Sequence, residues 1–121
     1  LQSRGLGDVY KRQVLVLGVA YKQDIDDYRE SPALRVIECL EKRGANVSFY
    51  DPWVAEYRYK GDTKQSIPAL TEEALSGADL VMVTCAHTNV DYDFVQQHAK
   101  AIFDTKNAMK GVEVRDNIEV L

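Results

Sequence analysis

The apolar residues of this chain fall into short runs separated by segments of helical period. Val14–Leu17 is continuously apolar and partly β-branched, which is typical of a strand buried on both faces. The same pattern predicts further strands, in chain order: Asn46–Tyr50, a short strand around Ile67, Leu80–Thr84 and Ala101–Phe103, which ends at Asp104. The last ten residues are compatible with an additional edge strand.

Three segments between the strands predict helices. In Pro32–Arg43 the apolar residues recur three and four positions apart, so they share one face of a helix. Ser31 suits the start of this helix, a proline suits its first turn, and Gly44 suits its end. Thr71–Ser76 and Asp91–His98 predict two shorter helices.

The order of these elements predicts the fold class. A strand, a crossover helix of about a dozen residues and a second strand form a βαβ unit, in which the two strands are parallel. We therefore expect an α/β fold, specifically a Rossmann-like three-layer domain with a mostly parallel sheet. Trp53–Ser66 is polar and aromatic without a clear period, and it predicts a loop.

The composition fits one globular domain. The chain has 121 residues, of which 45% are hydrophobic and 28% are charged. No apolar run approaches the roughly 20 residues that a membrane-spanning helix needs. The net charge is −4 and no basic stripe is present. Neither a membrane nor a nucleic acid is therefore an expected partner.

The two cysteines are isolated in the sequence. Cys39 and Cys85 have no CxxC spacing and belong to no histidine-rich cluster. We expect both to be small core residues in a reduced, cytoplasmic setting.

A loop crowded with charges joins the first predicted strand to the first helix, over Gly18–Pro32. In α/β proteins, ligands bind at the carboxyl ends of parallel strands, where this loop lies. A dinucleotide fold would show GxGxxG here, but only Gly18 is present. The loop is therefore not a self-sufficient NAD site, and it places side chains rather than bare backbone at the sheet edge.

The same residues carry a family resemblance. The run GVAYKQDIDDYRESPAL, followed by Gly44 and by Tyr-Asp-Pro at 50–52, resembles the C-terminal nucleotide-sugar-binding domain of the UDP-glucose/GDP-mannose dehydrogenase family. Residues 84–110 are most similar to the branch that oxidises UDP-N-acetylhexosamines. The resemblance runs from about residue 14 to about residue 110 and so covers most of the chain.

The resemblance implies that Tyr21 and Lys22 contact the nucleotide-sugar substrate. An ammonium on a flexible stem suits a phosphate as a point charge, and an aromatic ring offers stacking area. The alternative is that Lys22 is a solvated loop lysine and that Tyr21 is a packing residue.

The resemblance also implies that Arg29 reaches the NAD cofactor held by a separate N-terminal domain, since a guanidinium fork suits phosphate or ribose oxygens. The alternative is that Arg29 pairs with the acids around it, which are Asp24, Asp26, Asp27 and Glu30. With Lys22 and Arg29 these acids give the loop a net charge of −2. Asp27 is predicted to be an ion-pair residue at the helix start rather than a metal ligand or a phosphoacceptor.

The sequence offers four other candidate positions for the site. Lys106 stands where the family usually has an arginine that contacts substrate, so the charge is kept but the bidentate fork is lost. Asp51 is followed by a proline, which predicts a structural residue in a turn. His87 and His98 have no nucleophile and orienting group around them, and we predict structural roles for both.

The resemblance implies a whole enzyme larger than this chain. Family members oxidise the C6 alcohol of a UDP-(N-acetyl)hexosamine or UDP-hexose to the uronate in two NAD-dependent steps, through a thiohemiacetal on a middle-domain cysteine. Neither cysteine here matches that motif. We therefore expect a UDP-binding fragment, inactive alone, with N-terminal and middle domains as partners and a homo-oligomer at full length. The alternative is a free-standing Rossmann-like regulatory or interaction module.

The first residues differ in character from the rest. Asp8–Gln13 resembles the translation of a transposon-end adaptor used in sequencing libraries. We therefore expect residues 1–13 to be a cloning or assembly scar that contributes nothing to the fold, and residues 14–121 to form the nucleotide-sugar-binding domain.

Overall fold

The computed structural model describes residues 9–121. The strands are β1 (Gln13–Leu17), β2 (Asn46–Tyr50), β3 (Glu56–Tyr59), β4 (Asp62–Gln65), β5 (Leu80–Val83), β6 (Ile102–Asp104) and β7 (Ile118–Val120). The helices are α1 (Pro32–Lys42), α2 (Glu72–Ser76) and α3 (Tyr92–His98). Across residues 9–121, no helix is both long and apolar enough to span a membrane.

One sheet organises the domain. Its five strands run parallel in the order β2-β1-β5-β6-β7, so β1 is paired on both sides. This confirms the predicted parallel sheet, and β7 confirms that the last residues supply an edge strand. The predicted helices are also confirmed, with the Ser31 and Thr71 side chains accepting hydrogen bonds from the first-turn amides of α1 and α2.

Alternation along β1 creates the three layers. Val14 and Val16 pack into one core with the buried face of α1. Leu15 and Leu17 point to the opposite face and pack into a second core with residues of α2 and α3. Because successive side chains of a strand point to opposite faces, a strand apolar at every position must be covered on both sides. The three-layer α/β fold is therefore confirmed.

A β-hairpin occupies the segment that was predicted to be a loop. β3 and β4 pair antiparallel around Lys60 and Gly61, which both have positive φ, as a two-residue hairpin turn requires. Tyr57 is buried, with its ring centroid 5.2 Å from that of Phe49. The prediction was wrong because most side chains of this hairpin stay polar and exposed, so the strand pattern is weak.

The predicted short strand around Ile67 is also wrong. The Ile67 amide donates to the Phe49 carbonyl at 2.9 Å, so Ile67 is hydrogen-bonded to the edge of β2 without forming a strand. Pro68 follows, and a proline has no amide to continue a ladder.

One cysteine lies where it was not expected. Cys85 is buried, as predicted, but Cys39 is exposed on α1. The helix period explains the difference, because Leu40 and Ile37 take the core-facing positions and Cys39 falls on the outer face.

Residues 9–13 pack on the domain. Val9 is 2% exposed and belongs to the core beneath α1. The Lys11 amide donates to the Gly44 carbonyl at 2.9 Å, and Gln13 begins β1. Residues 1–8, the rest of the predicted scar, lie outside the described residues. The adaptor origin of residues 1–13 stays a prediction, but their described part is built into the fold.

Two truncations test the contribution of this segment. A chain that starts at Val14 should lose about 2 kcal/mol or more of unfolding free energy relative to one that starts at Val9, because it loses a buried valine and the pairing of Gln13. Urea unfolding measures the difference. Equal midpoints would instead support the prediction that residues up to Gln13 are irrelevant to stability.

Gly18 allows β1 to enter the site loop. Its φ is +89°, and a Cβ built there would lie 2.5 Å from the Cβ of Cys85 and 2.7 Å from its carbonyl oxygen. A side chain at this position would thus be strained by the positive φ and would also clash with the Cβ and the backbone of Cys85.

Gly61 provides a matched control for Gly18. It has a φ of +87°, but an added Cβ would meet nothing within 4 Å. Gly61→Ala should therefore cost only the left-handed backbone strain, about 1 kcal/mol, whereas Gly18→Ala should cost about 3 kcal/mol or more because overpacking is added. Denaturant unfolding of both variants checks this, and equal losses would mean that Cys85 moves aside freely.

Candidate functional site

The sheet topology marks one edge as the candidate site. From β1 the chain passes to β2 on one side, and it later returns to β5 on the other side of β1. The strand order therefore reverses between β1 and β5, which is the position where open α/β sheets bind ligands, outside the carboxyl ends of the strands. The loops after β1, β2, β5 and β6 all leave the sheet at this edge.

A buried carboxylate ties two of these loops together. Asp51, which follows β2, is 4% exposed. One of its oxygens accepts from the amides of Val19 at 2.7 Å and Ala20 at 3.2 Å. The other accepts from the amides of Trp53 at 2.7 Å and Val54 at 3.1 Å. Asp51 is thus the structural turn residue that the sequence predicted, and it also fixes the start of the loop after β1.

Asp51 is ionised in the folded protein despite its burial. Burial raises the pKa of this carboxyl group, but the hydrogen bonds from His87 and from the backbone amides outweigh it and hold the pKa below its usual value. Donors that bond only the charged form stabilise that form.

The His87 ring lies at the centre of the edge and is fully buried. Its Nε2 atom is 2.9 Å from Oδ2 of Asp51, and its Nδ1 atom accepts from the Asp24 amide at 2.7 Å. The Tyr92 hydroxyl donates to the His87 carbonyl at 2.8 Å. A ring whose Nδ1 accepts must carry its proton on Nε2, which then donates to Asp51.

Opposing contacts act on the protonation of His87. Burial lowers the pKa of the ring, whereas the hydrogen bond to the Asp51 carboxylate raises it. The Asp24 amide opposes that rise, because it donates to Nδ1 and so stabilises only the neutral ring. With both nitrogens bonded in this way, the geometry is that of the neutral ring.

Asp24 joins the loop after β1 to the loop after β5. Its backbone has a φ of +63°, which is uncommon for a residue other than glycine. Its carboxylate accepts from the Thr88 amide at 2.9 Å and from the Thr88 hydroxyl at 2.8 Å. These two bonds are the main cause that lowers the pKa of Asp24.

Two of the three predicted substrate residues, Tyr21 and Lys22, lie on the outside of this framework. Tyr21 is 53% exposed, and its amide donates to the Asp27 carbonyl at 2.7 Å. The Lys22 ammonium lies 6.0 Å from the Tyr21 ring centroid. Among the described residues Lys22 has no salt-bridge partner, so its charge faces solvent beside an exposed ring.

Arg29 makes the ion pair that was the alternative to cofactor contact. Its Nε and Nη2 atoms donate to the two carboxylate oxygens of Asp27, each at 3.0 Å. These hydrogen bonds lower the pKa of Asp27 to about 2. The predicted ion-pair role of Asp27 is thus confirmed, while the Arg29 side chain remains 81% exposed.

Lys106 follows β6 and lies at the same edge of the sheet. In the strand order, β5 separates β6 from β1, the strand that the Tyr21–Lys22 loop follows. Its side chain is exposed, and its amide donates to Oδ1 of Asp104 at 3.1 Å. The fully buried Asp104 also accepts from the amides of Ala108 and Met109. Asp104 therefore shapes the Lys106 loop as Asp51 shapes the loop after β1.

The sequence reasoning missed the organising roles of His87 and Asp104. For Asp104 the available signal was a polar residue at the end of an apolar strand, since burial there demands hydrogen-bond partners. His87 stands four residues beyond β5 and had no such signal. His98, in contrast, lies at the end of α3, with its ring 4.6 Å from that of Phe94.

The polar groups of this edge differ in what they can offer a ligand. The buried acids are occupied by backbone amides, whereas Tyr21, Lys22 and Lys106 are exposed, with the exposed acids Asp26 and Glu30 on the same loop as Lys22. Within residues 9–121, no group of three or more histidine, cysteine or acidic residues is placed to hold a metal ion.

Comparison with known proteins identifies the family. The sequence profile of the UDP-glucose/GDP-mannose dehydrogenase family, UDP binding domain, matches residues 15–111, which is most of the chain. The chain belongs to this family. All four predicted site residues of this UDP-glucose/GDP-mannose dehydrogenase family member lie within the matched range: Tyr21, Lys22, Arg29 and Lys106.

Relatives of known activity agree with the family assignment. UDP-N-acetyl-D-mannosamine dehydrogenase of Methanococcus maripaludis is 31% identical over 110 residues, covering 84% of this chain and 24% of that protein. UDP-D-ManNAc dehydrogenase of Pyrococcus horikoshii superimposes with a TM-score of 0.73 at 25% identity, covering 98% of this chain and 28% of that one. A UDP-glucose dehydrogenase of Pyrobaculum islandicum gives a TM-score of 0.68 at 26% identity, with 98% and 26% covered. This chain thus spans about a quarter of each relative.

The role of Asp51 gives a prediction with a matched control. Asp51→Asn replaces an acceptor oxygen by a donor that faces backbone amides, and should cost about 3 kcal/mol of unfolding free energy at neutral pH. Asp26→Asn, at an exposed loop position, should change stability little.

The pH dependence provides a second readout of the same variant. Because the folded-state pKa of Asp51 lies below its unfolded value, its stabilisation is present above about pH 4 and is lost as the pH falls further. Unfolding free energies measured from pH 7 to pH 2 should therefore fall less steeply for Asp51→Asn than for wild type or Asp26→Asn. Parallel curves for all three proteins would show that Asp51 is not bound by its amides as described.

Proposed function

We propose that this chain binds the UDP group of a nucleotide sugar at the carboxyl edge of its sheet. One observation carries the proposal: the exposed Lys22 ammonium, which has no salt-bridge partner within residues 9–121, lies beside the exposed Tyr21 ring on a loop whose two flanks are held by hydrogen bonds. Lys22 offers its charge to the pyrophosphate, and Tyr21 offers its ring face to the uridine or the sugar. Lys106 adds a second cation from the loop after β6.

The complete protein is proposed to be an NAD-dependent nucleotide-sugar 6-dehydrogenase, which oxidises the C6 alcohol of the sugar to a carboxylate. The substrate favoured is a UDP-N-acetylhexosamine, because the relatives from Methanococcus maripaludis and Pyrococcus horikoshii are named for UDP-N-acetylmannosamine. A UDP-hexose is the alternative, since the Pyrobaculum islandicum structure is a UDP-glucose dehydrogenase. Such an enzyme works in the cytoplasm as a homo-oligomer.

We infer that another domain holds the dinucleotide cofactor and that this chain only contacts it. The space beyond Gly18, where a pyrophosphate would approach bare backbone, is filled by Cys85. We therefore assign the NAD cradle to an N-terminal domain and give this chain one contact, Arg29. Arg29 is paired with the Asp27 carboxylate. It would therefore contact the cofactor either while it keeps this ion pair or after it exchanges the Asp27 carboxylate for a group of the cofactor.

The reacting cysteine is also assigned to another domain. Cys85 is buried against Gly18, and Cys39 lies on the outer face of α1. Neither cysteine lies on the loop that carries Tyr21 and Lys22. This fragment is thus proposed to bind substrate without turning it over.

Titration of this chain tests the proposal. Purified protein is titrated by NMR and calorimetry with UDP, UDP-N-acetylmannosamine, UDP-glucose and NAD. Binding of the UDP compounds with shifts at Tyr21 and Lys22, and no binding of NAD, is the expected result. Failure of every ligand to bind would favour the free-standing regulatory or interaction module.

A pair of lysine variants localises the binding. Lys22→Ala should weaken the affinity for UDP about tenfold, because one charge-assisted contact to phosphate is lost. Lys100→Ala, an exposed lysine at the opposite edge before β6, should leave it unchanged. Equal weakening by both variants would indicate non-specific charge attraction instead of a site at Lys22.

A further inference from the structure

The segment that carries Tyr21 and Lys22 is held at both of its flanks. On the amino side, the amides of Val19 and Ala20 donate to Oδ2 of Asp51. On the carboxyl side, the amide of Asp24 donates to Nδ1 of His87 at 2.7 Å. Between these points Tyr21, Lys22 and Gln23 are exposed, and the Tyr21 amide donates to the Asp27 carbonyl at 2.7 Å.

One side chain connects the two flanks. His87 reaches Oδ2 of Asp51 through Nε2 at 2.9 Å and the Asp24 amide through Nδ1. The ring is rigid and fully buried, so the separation of its two nitrogens sets the separation of the two anchor points. The Tyr92 hydroxyl holds the His87 backbone at 2.8 Å and limits movement of the ring.

We propose that His87 is a positioning residue, which fixes the Tyr21–Lys22 segment in its ligand-binding shape through the contact of Nδ1 with the Asp24 amide. This inference rests on the proposed UDP site. Asp24 adopts an unfavourable positive φ directly beyond this segment, so it needs an external hold to stay there. The Asp24 carboxylate adds a hold on Thr88, but only the amide contact acts on the backbone of Asp24 itself.

Two isosteric variants separate the two contacts of the ring. In His87→Asn the side-chain oxygen can take the place of Nδ1 and accept from Asp24, but the bond to Asp51 is lost. In His87→Gln the longer amide can take the place of Nε2 and donate to Asp51, but the acceptor for Asp24 is lost. His98→Gln, at the end of α3 and away from the edge, is the control.

Amide hydrogen exchange of Asp24 and titration with UDP are measured on all three variants. His87→Gln should speed exchange of the Asp24 amide about tenfold and weaken UDP binding by a similar factor. His87→Asn should keep both values within about threefold of wild type, although both His87 variants lose stability. If UDP affinity falls by the same factor in both His87 variants, in proportion to their loss of stability, His87 has only a structural role and the proposal is overturned.

The exchange measurement stands apart from the ligand. If wild-type protein does not bind UDP, the proposed function fails, but unequal exchange at Asp24 in the two variants still supports the positioning contact. If neither variant folds, ring ¹⁵N shifts of wild-type His87 decide the question. A proton on Nε2 with none on Nδ1 supports the contact, and a proton on Nδ1 overturns it.

Discussion

The rest of the candidate site depends on the burial of one carboxylate at the end of β2. Asp51 is charged and almost inaccessible to water, a state that is costly unless the charge is fully hydrogen-bonded. Four backbone amides and the His87 ring satisfy it, and those amides belong to the loops after β1 and β2. A single buried charge thereby sets the paths of two loops that have no regular secondary structure.

The polar residues at the carboxyl edge divide into two groups with different tasks. One group is buried and hydrogen-bonds to backbone groups: Asp51, His87 and Asp104. These side chains are therefore not available to a ligand. Lys22 and Lys106 are exposed and remain available to a ligand. The loop is net acidic, but Asp24 is hydrogen-bonded to Thr88 and Asp27 is paired with Arg29, and among residues 9–121 no acid forms a salt bridge with Lys22.

Parts of the site could be predicted because a local signal existed. A strand followed by a charged loop and a capped helix located the edge, and a single glycine at 18 in place of GxGxxG predicted that side chains rather than bare backbone line it. The role of His87 had no such signal, since its partners Asp51 and Asp24 lie 36 and 63 residues away in sequence. The β3–β4 hairpin was missed for a related reason, because it buries Tyr57 but keeps most of its residues in water.

The sequence by itself determined the layered α/β fold and its edge of loops. Apolar residues at every position of β1 require cover on both faces, and a crossover helix between strands forces them parallel. Only the tertiary structure decided which charged side chains are hydrogen-bonded within the protein and which are exposed to solvent. For Asp51 and Asp24 that choice depends on hydrogen bonds to loops far away in the sequence, which no local pattern of residues encodes. The pair of Arg29 with Asp27, two residues away, is the local exception.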